Sequence, residues 1–173
     1  MKPATYITTS WDDGHSSDLR VAALLTKRTS RGTFYVPMSA ETSTMTTAQI
    51  RELGSGFEIG AHTIHHDVLT KLANETAWRE VAGSKSRLED TTGQPCRMFC
   101  PPKGRYSRPH LAMIRRAGFV GLRTVELGSL DFPRRRAGLA RQRFKRTPMA
   151  SLHSPETQSR GSPCDAQTWT LTE

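Results

Sequence analysis

The sequence has no apolar run near the ~20 residues that a membrane span needs. Its start passes into the strand-like YITTSW without the apolar core of a signal peptide. These absences argue against a spanning helix and lead to the expectation of a cytoplasmic protein. Cysteine is scarce. Cys96, Cys100 and Cys164 form neither a paired framework nor the CxxC spacing of a zinc knuckle, so they read as ordinary thiols of a reducing compartment. Apolar residues are thin at 35%, with only 7% aromatic, which is low for a globular chain and points to a segment that dilutes the average. That segment is the C-terminal stretch. Residues 133–173 hold 8 Lys+Arg against 3 Asp+Glu, whereas 1–132 hold 17 against 13, so over half of the net +9 lies in the tail. Charge of this kind bears on solubility and non-specific association more than on fold. Nucleic-acid binding through Arg134–Arg146 is disfavoured, because the basic run lacks interleaved aromatics. No repeat of 20–50 residues is visible.

What remains is enough for one core, since a domain of 173 residues buries roughly 70% of its unfolded surface. Short β-branched or aromatic runs alternate with segments of helical period, the signature of βα units around a parallel sheet. The expected strands are Tyr6–Thr9, Thr33–Val36, Phe57–Gly60, Arg97–Phe99 and Val120–Thr124. Between them, Asp18–Thr29 places Leu19, Ala22, Ala23 and Leu25 on one helical face. Thr46 with Gln49 three residues on is a capping box, opening a helix that Gly54 would close. Asn74 is read as the cap of a longer helix carrying Trp78, Val81 and Leu88, ending before Thr92-Gly93. Ser107 and Pro109 open another that buries Leu111 and Ile114 and stops at Gly118. Past Asp131 neither period persists. The division is therefore a catalytic domain over 1–132 and a basic, polar, poorly ordered tail over 133–173.

In a parallel sheet the segments that follow the strands share one edge, where such folds place their sites. The polar punctuation falls there: SWDDG after the first strand, HTIHH after the third, CPPKG after the fourth. Asp12 and Asp13 can divide their labour, one binding metal and the other free as a base, although Asp-Asp-Gly alone also reads as a solvated turn. His62 and His66 lie four apart, so on a helical turn both imidazoles would share a face and a cation. An Asp from the first strand would complete three ligands and leave a position for water, which zinc acidifies to a pKa of about 7. The alternative is a surface histidine cluster. His65 would point elsewhere.

SWDDG, RGTFYVP, GFEIGAHTIHH and FCPPKGRYS, in this order over roughly residues 5–125, resemble the polysaccharide deacetylase family of carbohydrate esterases, the nodulation-protein-B homology domain. The resemblance implies an α/β fold, an incomplete (β/α) barrel with parallel strands, and a divalent metal, usually zinc. The implied activity is removal of N- or O-acetyl groups from amino-sugar polymers. It implies Asp12 as general base, Asp13, His62 and His66 as metal ligands, Thr63 as support for the histidine turn, and the Lys103 backbone N–H as oxyanion donor. Against that resemblance the C-terminal part reads as atypical or truncated. The family's third motif often begins with an Arg that orients the base; here that position is Cys100, read as a buried inert thiol, so Asp12 is expected to lack a charged partner. The family's leaving-group acid is a His in a Leu-x-His on the last strand, which only Leu152-His153 approximates, at the wrong spacing.

Two readings follow. One is a metal-dependent deacetylase acting on an acetylated amino sugar or a small amide. The other is a catalytically impaired metal- and sugar-binding module without the acid.

Overall fold

The computed structural model describes residues 5–39, 44–127, 140–144 and 167–172. The apolar positions of successive strands line up across it. Val36 pairs with Ala61, Ala61 with Phe99 and Phe99 with Leu122, a row of cross-strand neighbours all at 0% exposure. Trp11, Phe34 and Ile59 form a second row, with Phe34 stacked on Trp11 and edge-on to Phe57. Strand side chains alternate between faces, so both rows look the same way and pack against the helices. Each fully buried Leu, Val or Phe contributes roughly 1.5–3 kcal/mol there.

The strands are β1 (Thr5–Trp11), β2 (Gly32–Val36), β3 (Glu58–Ala61), β4 (Met98–Phe99), β5 (Gly121–Leu127), β6 (Ala140–Phe144) and β7 (Gln167–Thr172). They form one sheet in the order β6-β5-β4-β3-β2-β1-β7, parallel from β1 through β6, with β7 antiparallel to β1. Helices α1 (Asp18–Lys27), α2 (Thr47–Gly56), α3 (Asn74–Thr92) and α4 (Arg108–Arg116) provide the crossovers. The curled half-barrel expected from the sequence is what forms.

Local chemistry accounts for most boundaries. Thr46 Oγ1 accepts from Gln49 N at 3.3 Å and Gln49 Oε1 accepts from Thr46 N at 2.8 Å, the capping box of α2. Gly54 does not close that helix, which runs on to Gly56 and ends where Phe57 turns extended into β3. Asn74 is the first helical residue of α3 and Ala73 occupies the cap, while left-handed Gly93 ends the helix. Helix α1 stops at Lys27, short of the expected Thr29, because Thr29 itself is left-handed at φ 52.

Two strands arise where no period predicted them. In β7, Trp169 and Leu171 alternate with threonines, a true two-residue period hidden in a polar surrounding. In β6 the charged ARQRF offers no apolar alternation, and its parallel pairing to β5 is through the backbone. Residues 133–139 and 145–166, with Cys164 and His153, lie outside the described residues.

Candidate active site

One residue beyond the apolar row Ala61–Phe99–Leu122, the alternation puts His62, Cys100 and Arg123 on the opposite face of the sheet, all at 2% exposure or less. Asp12 stands just past the end of β1. The next two residues, Asp13 (φ 71) and Gly14 (φ 61), are both left-handed and bend the chain sharply. Glycine is required at the second, since a Cβ there would stand 2.8 Å from Val36 Cγ1.

This bend brings Asp13 Oδ1 to 3.3 Å from His62 Nε2 and 3.0 Å from His66 Nε2. His62 forms the buried floor and Asp13 the open rim. His62 Nδ1 lies 2.7 Å from the Cys100 carbonyl, which can only accept, so Nδ1 carries a proton and Nε2 is the nitrogen turned toward Asp13. The histidines do not share a helical turn, as the four-residue spacing suggested. They sit on an irregular loop with Thr63 (φ 65) and His66 (φ 60) in left-handed conformation, and converge by that route instead. Thr63 is fully buried and its hydroxyl donates to the His62 carbonyl at 2.6 Å.

Hydrogen bonds from His62 and His66 hold the Asp13 carboxyl well below the usual range, against the opposing effect of burial. Burial alone would depress His62, but Cys100, Asp13 and Asp12 outweigh it and raise the group to about 10. Two imidazole nitrogens and a carboxylate oxygen around one point are a donor set suited to a divalent ion, so the residues fit a metal.

Asp12 does have a charged partner. Arg123 Nη1, from β5, donates to Asp12 Oδ2 at 2.6 Å, in the role that the sequence left vacant at Cys100. The other oxygen, Asp12 Oδ1, is buried and has no partner among the described residues. Cys100 Sγ lies 3.3 Å from the same Arg123 nitrogen and within 4.8 Å of ligand atoms of Asp12 and His62. A guanidinium against the sulfur disfavours a metal cation there. The signal for Arg123 in the sequence is a lone arginine inside the buried strand GLRTV.

Two further residues were not legible. Glu80 of α3 is 4% exposed and binds the histidine loop, including His65, whose Nδ1 is 2.6 Å from Glu80 Oε1. Asp18 opens α1 at 1% exposure with neither carboxyl oxygen partnered among the described residues. Burial, then Asp13 and Asp12, raises its pKa to about 7. Lys103 lies in the tight turn Pro102–Gly104 after β4, left-handed at φ 56 and exposed.

The fold and site thus define a hydrolase-like half-barrel with a two-histidine, one-aspartate centre beside a second aspartate. The model of the polysaccharide deacetylase family matches residues 2–122, and the chain belongs to that family. No curated protein matches the chain significantly. Among solved structures, it is similar to the Streptococcus pyogenes deacetylase PplD in complex with acetate, with 22% identity and a TM-score of 0.64 over 69% of this chain and 55% of that one. It is also similar to the Bacillus cereus polysaccharide deacetylase BC0361, with 23% identity and a TM-score of 0.61 over 69% and 40%. A third is a family 4 acetyl xylan esterase from Clostridium thermocellum in complex with a cobalt ion, with 23% identity and a TM-score of 0.54 over 67% and 56%. The chain spans about half the length of these structures. No described helix is long and apolar enough to cross a membrane.

Proposed function

We propose that this chain is a metal-dependent hydrolase that removes N- or O-acetyl groups from an acetylated amino sugar or related amide. The observation that carries the reading is Asp13 Oδ1 within 3.3 Å of two imidazole nitrogens, beside an Asp12 whose Oδ1 is unpartnered among the described residues. Asp13, His62 and His66 would hold the cation, which we take to be zinc; when bound it supplies Lewis-acid polarisation of the carbonyl and acidifies water.

The chain's own groups do the rest. Asp12 accepts the proton that water loses as its oxygen bonds to the acetyl carbon. Arg123 holds one Asp12 oxygen and thereby leaves the other for that proton. The Lys103 N–H is our candidate donor to the developing oxyanion. As the C–N or C–O bond breaks, the leaving amine or alcohol takes a proton and acetate departs.

Family membership and the acetate-bound and cobalt-bound neighbours support this reading. The cysteine usage supports a cytoplasmic setting, and with it a small sugar derivative as substrate. The direct test is metal content together with acetate release from an N-acetylglucosamine oligomer. Asp13→Ala should lose both; retention of parental zinc affinity would refute the ligand assignment.

One observation favours a second reading, an impaired metal- and sugar-binding module. The closing strands, ARQRF and QTWTLT, contain no histidine to serve as leaving-group acid. Turnover by the zinc-loaded chain separates the two.

A further inference from the structure

The loop that carries His62 and His66 is built against its own preferences. Thr63 and His66 are both left-handed without being glycine, and β-branched Thr63 is the more strained of the two. Something outside the loop must hold it in this shape.

The holding comes from α3. Ile64 N and His65 N both donate to Glu80 Oε2, at 2.8 and 2.9 Å, and His65 donates its Nδ1 proton to Glu80 Oε1 at 2.6 Å. Among the described residues, every hydrogen-bond partner of this carboxylate belongs to the loop. A carboxylate at 4% exposure is costly to bury without such donors. Almost one turn further along α3 is Gly83, a poor residue for a helix interior. A Cβ added there would stand 2.7 Å from Ile64 Cδ1. The helix therefore makes two unfavourable choices, a buried anion and an interior glycine, and both face the same five-residue loop.

We infer that Glu80 and Gly83 form a seat that shapes the histidine loop before any cation arrives, and that Glu80 is a positioning residue acting through His62 and His66. This rests on the reading that those histidines and Asp13 take a divalent cation. The Glu80 oxygens are occupied by the loop, so Glu80 acts on metal affinity without being a ligand.

The test is zinc affinity of the full chain, read by competition with a chromogenic chelator, with thermal melts as the control for folding. Glu80→Ala should weaken zinc binding about 10- to 100-fold, the range for loss of an outer partner of a ligand. Glu80→Gln keeps an acceptor oxygen for the backbone pair and should recover most of that loss. Gly83→Ala, which in an ordinary helix would be benign, should also weaken zinc binding, and adding Ile64→Ala should restore it by removing the clash. The glycine pair decides the matter if Glu80→Ala does not fold. A parent chain that binds no zinc overturns the reading of the site itself. A parent that binds zinc, with Glu80→Ala and Gly83→Ala binding it equally tightly, overturns the seat alone.

Discussion

Asp12 and Arg123 show how a site can keep its electrostatics while changing its sequence. The two residues are 111 positions apart, and the strand order brings Arg123 Nη1 to 2.6 Å from Asp12 Oδ2. Arg123 is buried and its guanidinium lies 5.9 Å over the Tyr35 ring, so its position is set by packing as well as charge. Removal would leave Asp12 free to rotate, and misplacement of a reacting group by ~1 Å can cost about 100-fold in rate. Arg123→Met should therefore lower kcat for acetate release by about 100-fold, with the substrate KM nearly unchanged. Arg123→Lys should fall between the two, and parental kcat in the methionine variant would remove Arg123 from the machinery. Asp18 makes a prediction in pH. Its folded pKa of about 7 stands above the reference 3.8, so the fold holds this proton more tightly than the unfolded chain does. The stability it contributes is full below pH 3.8 and is lost as pH rises through 7. In metal-free protein at pH 8, Asp18→Asn should then stabilise by about 2 kcal/mol, or roughly 4–8 °C in Tm. At pH 4 the gain should vanish, and an equal gain at both pH values would refute the assignment.

At the scale of elements, glycine marks where backbone and ring approach each other. A Cβ on Gly60 of β3 would meet Tyr35 Cδ1 and Cε1 at 2.4 Å. Tyr35 is 1% exposed and has nowhere to turn. Gly60→Ala is therefore expected to destabilise the fold by at least about 1–3 kcal/mol, measured by denaturant melts, with Tyr35→Leu partly relieving it. The strands β1 to β5 and the Thr46 capping box were legible because each depends on neighbours in sequence, through a run of β-branched residues or a three-residue spacing. The meeting of Asp13 with His62 and His66 was legible for a similar reason, since strand ends of a parallel sheet share an edge. What escaped depends on contacts distant in sequence. Gly54 could have ended α2 on local grounds, but Leu53 and Ile50 are buried on that face and the helix continues past them. The histidine loop followed no helical rule because Glu80, 14 residues after His66, imposes its conformation. Arg123 showed only as an odd charge in an apolar strand.

For the whole molecule, the question is what a half-barrel with the proposed base and metal centre does without an assigned acid. The closing strands β6 and β7 carry no histidine, and His153 lies outside the described residues. The two candidate reactions differ in their need for that group. An amine is expelled only once it is protonated, whereas the weakly basic aryloxide of an aryl ester leaves without help. On the proposed reading, attack on the carbonyl would use the same groups in both cases, namely Asp12, the Lys103 N–H and the cation that Asp13, His62 and His66 would hold. A chain well equipped for attack and poorly equipped for departure should therefore be unusually sensitive to the leaving group. The zinc-loaded protein is expected to cleave an aryl acetate at least about 100-fold faster in kcat/KM than an N-acetylglucosamine oligomer, the lower end of the contribution of general acid–base catalysis. His153→Ala should leave both rates unchanged. If His153→Ala depresses amide turnover while sparing the aryl ester, His153 is the acid after all and the centre is complete. If the parent cleaves the amide as fast as the ester, departure is already assisted, and another group at the strand ends must supply the proton.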